Sequence, residues 1–417
     1  METWRRDLRQ LAHGLQASSD SLHVLGSVCS DAAGEVASEH QGNIAVGGLG
    51  VTDWESEDLH AQVRSTLAMR KERGRLIGGM GPGELINRLL TIPELLRISD
   101  NRLAALERRR RNSSLSNTER SLRQPRLSSD MLLARCSPHP RDARIRFQED
   151  EHIYFLDETY TFPQSVSRVW ATFFEEFDAH ATIKKYFDTW STNAVSKYFP
   201  KIQEGRKCGK EDREIMDEIA QGWSASGRDA SEKGTHLHRQ AELFLNACEH
   251  DASSIEINQF RCFLVNFGME RGWKPFRTEW SIFDDVAMVA GQIDSIFIDT
   301  AGNFHMVDWK RVCKDFDPLE GMRLGRFGKP PCNNMLDNKF NHYACQQNLY
   351  SAILLDCYDI VISSMWLVQL HEDRHSYHLV LNTPPVMKPL LFQNIPPGTD
   401  SLPDVGLYVL AVPCTMC

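Results

Sequence analysis

Three runs decide the fold: Glu279-Trp-Ser-Ile-Phe283, Val289-Ala-Gly-Gln-Ile-Asp294-Ser-Ile-Phe-Ile-Asp299, and Phe304-His-Met-Val-Asp308-Trp-Lys310-Arg311. Each is rich in β-branched and aromatic residues. The connections, Asp284-Asp285 and Thr300-Ala-Gly-Asn303, have turn composition, so an antiparallel meander is expected. Alternate side chains of a strand share a face, which sets Asp308 and Lys310 together and turns Trp309 to the other side. A hairpin through Asn303 brings Asp294 of the neighbouring strand beside Asp308. Two close carboxylates repel each other. A divalent metal with oxygen ligands removes that penalty and leaves positions for water and phosphate oxygens. Lys310 is then placed to orient or deprotonate an attacking water, or to stabilise charge in the transition state.

Further elements lie on either side of these runs. Gly234-Thr-His-Leu-His238 precedes them, Gly291-Gln-Ile-Asp294 and Asp308-Trp-Lys310 lie within them, and Gln346-Gln-Asn-Leu-Tyr350 follows. With Glu279 on the first strand, this order resembles the PD-(D/E)XK nuclease superfamily and, within it, the RecB-like exonuclease branch. Asp-x-Lys alone is a weak pattern, whereas five elements in order at plausible spacing are a strong one. One departure is Ile293, where many members carry proline before the acid. The Gln164-Ser-Val-Ser approach to a helix and the Trp223 upstream of Gly234 are similar to members from large DNA viruses and mobile elements, which extends the resemblance over roughly residues 145–385.

The resemblance implies an α/β, restriction-endonuclease-like core with a central mixed β-sheet flanked by helices. It also implies metal-dependent hydrolysis of DNA, with Mg²⁺ or Mn²⁺ as cofactor. His238 would then ligate or approach the metal, and Gly234 would let a helix start lie close to the substrate backbone. Gln346 and Tyr350 would approach the scissile strand. Tyr343, Gln346 and Tyr350 share a helix face, which adds Tyr343 to the substrate-binding candidates. Glu279 is read as completing the metal shell or holding a water there. Glu242, four residues after His238, is either a partner that fixes the imidazole or a solvated helix residue. Exonuclease action on single-stranded or duplex ends is preferred to endonuclease action, since no sequence-reading module is evident. A non-catalytic nucleic-acid- or partner-binding module on the same fold is the alternative from another class.

The rest of the chain bounds this reading. Its 417 residues carry a net charge of −9 and 41% hydrophobic residues, enough for a sizeable core. No apolar run is long enough to span a membrane and no signal-peptide core opens the chain, so an intracellular protein of the nucleus or cytoplasm is expected, with no membrane partner. The 11 cysteines have no disulfide-framework rhythm and lack the clustered downstream triplet of an iron–sulfur site, so reduced thiols are expected.

Residues 1–80 are polar and weakly periodic, and disorder is the default there. Residues 81–106 repeat leucine and isoleucine at three and four, broken at Pro93. This suggests two short amphipathic helices that pack locally or dock a protein partner. Residues 107–144 read as a basic linker, an import signal or a nucleic-acid arm, since residues 102–146 hold twelve arginines against four acids. The nuclease-like domain is expected over 145–385. It opens with a hairpin turning at Asp157-Glu158, and a Pro-rich tail over 386–417 follows it. The Gly/Pro/Lys/Arg-rich loop after Lys310, with Lys314, Arg323, Arg326 and Lys329, is expected to meet a phosphodiester chain.

Overall fold

The computed structural model describes residues 86–112, 131–316, 321, 325–380, 382 and 411–412. Expectations for residues 1–80 and for most of the Pro-rich tail lie outside these. Helix α1 spans Ile92–Asn112 and α2 Leu132–Cys136, and a 3-10 turn, Pro140–Arg144, leads into strand β1, Ile145–Gln148. Strands β2 (Ile153–Leu156), β3 (Tyr160–Thr161) and β4 (Gln164–Ser165) come next. Helices α3 (Val166–Ala171), α4 (Ala179–Thr192), α5 (Phe199–Lys207) and the 34-residue α6 (Asp212–Leu245) follow. Helix α7 (Ile255–Phe263) continues as a π-helical turn, Leu264–Met269, before β5 (Lys274–Asp284), β6 (Val289–Ile298) and β7 (Phe304–Lys310). Helix α8 (Lys339–Cys357), β8 (Ile362–His371), β9 (Arg374–Val380) and β10 (Ala411–Val412) complete the order.

The result is an α/β protein built on a mixed sheet. Strands run β10-β9-β8-β7-β6, with β5 antiparallel to β6 on its other edge and β8 parallel to β7. The meander β5–β6–β7 forms as its alternating pattern requires. Its central register pairs Ser295 with Val307 and Ile298 with Phe304. Pairing between β6 and β7 ends at Ser295, and further along β6 the short β4 takes the vacated edge at Val289 and Ala290. The two strands therefore part where Asp294 and Asp308 sit.

Helices cover both faces because the strands are apolar on both, a feature of sheets with parallel pairs. Trp309, 1% exposed, points away from Asp308 and packs edge-on against Phe260 and Phe263 of α7. Local sequence explains the helix starts: Ser165, Asp178, Ser254 and Asn338 each cap a helix by accepting a backbone N–H.

Several boundaries depart from the sequence reading. The 145–161 region is two successive hairpins, β1–β2 and β2–β3, and the second turns at Asp157 and Glu158, both at positive φ. Helix α6 runs unbroken through Gly234, so Gly234 lies in its interior and not at the helix start expected there. Pro93 opens α1 instead of breaking it, since proline suits a first turn.

Over its described residues, 86–105, the apolar face of the segment 81–106 is occupied by the chain itself. Leu89, Ile92 and Leu95 belong to the main core, and a Cβ at Gly268 would lie 2.7 Å from Cδ1 of Ile92. Nor does the fold begin at 145. Leu133 is buried in the same core, and Asp142 receives Arg277 at 2.7 Å and Nε1 of Trp280 at 2.8 Å. Arg141 and Arg144 reach Asp285, and Arg141 stacks on Phe283 at 4.0 Å. Within 131–146, these arginines of the expected linker are structural. Among the described residues no helix is long and apolar enough to cross a membrane. Eight described cysteines are free thiols.

Candidate metal centre

The parting of β6 and β7 frees the backbone of Trp309, and two candidate ligands use it. Its N–H donates to Oδ2 of Asp294 at 2.8 Å, and its carbonyl lies 2.9 Å from Nε2 of His238. A carbonyl only accepts, so Nε2 carries the proton and Nδ1 is turned inward. Nδ1 lies 3.5 Å from Oε1 of Glu279 and 3.6 Å from Oδ2 of Asp294. His238, Glu279 and Asp294 each offer a ligand atom, all within 4.8 Å of one another, and this triad could hold a metal ion. A ring nitrogen donating to a backbone carbonyl while its partner nitrogen faces carboxylates is how metal-ligating imidazoles are commonly fixed.

Glu279 reaches the triad through an unusual backbone. It sits in the middle of β5 at φ 42°, in the left-handed region, between Thr278 and Trp280, which stay paired with Ser295 and Ile293. A non-glycine residue there stores on the order of 1–3 kcal/mol of strain, which the surrounding pairing must hold. The side-chain amide of Gln292 donates to the Glu279 carbonyl at 3.1 Å and ties the distortion to β6.

Asp308 lies next to the triad but is drawn to Lys310, whose Nζ is 2.8 Å from its Oδ2. Of the four residues expected around a metal, the structure thus brings His238, Glu279 and Asp294 together and sets Asp308 beside them in an ion pair.

The electrostatics suit a cation. Burial pushes the carboxyls of Glu279, Asp294 and Asp308 above their ordinary range, against the opposing pull of His238 and Lys310 on all three. Burial alone would lower His238, but Asp294 and Glu279 raise it to about 9. Burial likewise opposes the charge on Lys310, yet Asp308 and Asp294 more than offset this and hold it above the usual lysine range. Buried acids that favour the neutral form until positive charge arrives, with an oriented imidazole among them, together fit a metal ion.

Helix α8 closes the other side. Nε2 of Gln346 donates to the Tyr350 hydroxyl at 2.9 Å, and burial and Asp294 contribute to a raised Tyr350 phenol. Tyr350 gets this close because residue 291 is glycine: a Cβ there would lie 2.5 Å from its Cε1. Tyr343 does not stand free for substrate. Its ring carries the Lys310 ammonium 4.8 Å from the centroid, so it positions that charge. Gly234, in the interior of α6, has no atom within 4 Å of where a Cβ would stand and opens onto free space.

Glu242 is buried and pairs with Arg239 at 2.5 Å, leaving its Oε1 without a hydrogen bond. The residue that fixes His238 is Trp309, through its carbonyl. No spacing rule could have found it, because a backbone atom carries no residue signature. Of the loop basics, Lys329 pairs with Glu175 at 3.3 Å and Arg326 with Asp337 at 3.8 Å, while Arg323 lies outside the described residues. No known family model and no curated protein sequence matches this chain.

Proposed function

We propose that this protein is a metal-dependent nuclease that hydrolyses phosphodiester bonds in DNA, acting at ends. The observation that carries the reading is the convergence of His238, Glu279 and Asp294 within 4.8 Å, with the Asp308–Lys310 pair alongside. Structural ion-pair networks seldom bury three carboxyls against one imidazole and one ammonium, because each uncompensated charge costs several kcal/mol. The mixed sheet with β5–β6–β7 antiparallel and β8 parallel to β7 accords with a restriction-endonuclease-like core.

Asp294, Glu279 and His238, with Asp308 beside them, would hold Mg²⁺ or Mn²⁺, which would supply Lewis acidity and charge neutralisation for phosphoryl transfer. The protein's own groups divide the remaining work. Asp308 and Asp294 favour the charged form of Lys310. It offers positive charge where the phosphorane-like transition state gathers negative charge. Tyr343 holds that ammonium in place. Tyr350 and Gln346 present a hydroxyl and an amide toward the strand that is cut.

The test is incubation of the purified full chain with Mg²⁺ or Mn²⁺ and end-labelled single-stranded DNA, duplex DNA and a closed circle. Degradation of linear substrates with the circle spared is expected. Intact linear substrates across pH and salt would sink the nuclease reading, and a circle cut as fast as linear DNA would sink the preference for ends.

A further inference from the structure

The helical insertion between Ala179 and Trp223 takes no part in the site described above. It has a small core of its own, Ile183, Phe187, Ile202, Ile215 and Ile219, separate from the main one. Around that core runs a series of rings left partly open to solvent. Tyr186 stacks on Trp190 with centroids 6.0 Å apart, Trp190 meets Tyr198 at 4.4 Å and Trp223 at 6.1 Å, and Phe177 meets Trp223 at 5.9 Å. Phe177 is 66% and Tyr186 41% exposed.

Two ammonium groups lie over these rings, Lys185 over Tyr186 at 5.3 Å and Lys197 over Tyr198 at 4.9 Å. Lys184 is exposed beside them. Residues 179–223 carry eight Lys and Arg against seven Asp and Glu, and Asp212 and Glu218 pair with Arg206 and Lys210, away from the two lysines that lie over the rings. Stacked rings interleaved with free cations are the chemistry by which proteins hold single strands without reading sequence.

Helix α6 joins this rim to the metal centre. Residues 224, 227, 231 and 234 fall on the His238 face at helical spacing, and all are Ser or Gly. The space where a Cβ would stand at Gly227 and Gly234 is open. From His238 to Trp223 is about 22 Å at ~1.5 Å per residue. That spans at most about six nucleotides at ~3.4 Å or more each.

We propose that the aromatic and lysine rim of the insertion is a binding surface for single-stranded DNA, which it receives along α6 from the metal centre. The direction of the strand rests on the nuclease reading. The binding itself does not.

The experiment is fluorescence anisotropy of labelled oligothymidines of twelve and three nucleotides, and of a blunt duplex, with the full chain in EDTA. The dodecamer is expected to bind more tightly than the trimer or the duplex. Phe177→Ser with Tyr186→Ser should weaken dodecamer binding about tenfold or more and leave the trimer unchanged, while Tyr186→Phe keeps the wild-type affinity. Lys185→Glu with Lys197→Glu should flatten the dependence of log affinity on log salt by about 1.4, two phosphates at ~0.7 each.

Dodecamer affinity unaffected by the serine pair, or a duplex bound equally well, overturns the proposal. If the serine pair melts early, the glutamate pair decides, because its side chains stand outside the small core: an unchanged salt slope then overturns it. A wild-type chain that binds the dodecamer through these residues yet never cleaves it with Mn²⁺ supports the strand surface and fails the nuclease reading alone. Cleavage with binding indifferent to both pairs does the reverse.

Discussion

The ring of Tyr350 lies flat enough against Gly291 that a Cβ on residue 291 would come within 2.5 Å of its Cε1. This contact sets how near α8 comes to the strand that carries Asp294. Gly291→Ala is expected to push the ring back, destabilising the fold by about 1–3 kcal/mol and lowering cleavage. In Gly291→Ala with Tyr350→Ala the stability losses should be clearly less than additive, since the second change removes the clash. Urea denaturation of the four proteins reads this directly, and simple additivity would refute the contact.

The metal centre predicts an order of losses. Asp294→Asn and Asp308→Asn should each reduce turnover on the order of a thousandfold or more, several kcal/mol of lost stabilisation. Lys310→Ala should be almost as damaging to turnover while Mn²⁺ still binds. His238→Ala should weaken Mn²⁺ more than Mg²⁺, imidazole suiting the softer ion. Calorimetric titration beside the cleavage assay checks the order. Loss of Mn²⁺ binding in Lys310→Ala with retention in Asp294→Asn would show the site wrongly assigned.

Metal should also stabilise the fold, because binding to the native state alone shifts unfolding by mass action. At a hundredfold excess over Kd the gain is about 2.7 kcal/mol. Thermal melts of the chain with EDTA and with Mn²⁺ are expected to differ accordingly, and the difference should shrink in Asp294→Asn. An equal rise in that variant would place the ion elsewhere.

His378 gives a prediction for pH. Burial lowers it to about 4 in the folded protein, where it contacts Ser376 at 2.7 Å and Phe316 edge-on. The unfolded chain binds this proton near the ordinary value of about 6.5 and the folded chain only near 4, so acid favours unfolding. The contribution is intact above about 6.5, falls as pH drops toward 4 and levels off below it, a loss of about 3 kcal/mol at ~1.4 kcal/mol per unit. Urea midpoints of wild type and His378→Gln at pH 7 and pH 4.5 test it: the variant should lose less. An equal loss in both would remove His378 from the acid response.

The segment before residue 145 is expected to be necessary for folding. Asp142 answers Arg277, whose side chain is 6% exposed, and breaking a buried pair from one side leaves a charge uncompensated. Asp142 is itself partly exposed, so Asp142→Ala should cost about 2–3 kcal/mol, toward the low end for such pairs. A chain starting at 145 should melt well below one starting at 131. Equal melting points would show the segment dispensable.

The sequence alone determined the strands and the shared face of Asp308 and Lys310. A period of two fixes facing as soon as a run is extended, and the turn composition at Asp299 to Asn303 fixes where it reverses. The same logic put His238 and Tyr350 on helices around those strands. It did not reach what depends on distant packing. Residues 81–106 read as either local packing or a partner surface, because periodicity reveals an apolar stripe but not what covers it; what covers its described part is the chain's own core, where Gly268 makes room for Ile92 from far along the chain. Arginines 141 and 144 looked like a linker's because a charge count cannot see Asp285.

Only the tertiary structure decided how the site is held. The separation of β6 from β7 frees the Trp309 backbone to anchor Asp294 and His238, and the left-handed turn at Glu279 brings its carboxylate in. Neither feature has a residue signature. The first comes from strand pairing that stops, and the second from strain that only the neighbouring pairs can sustain.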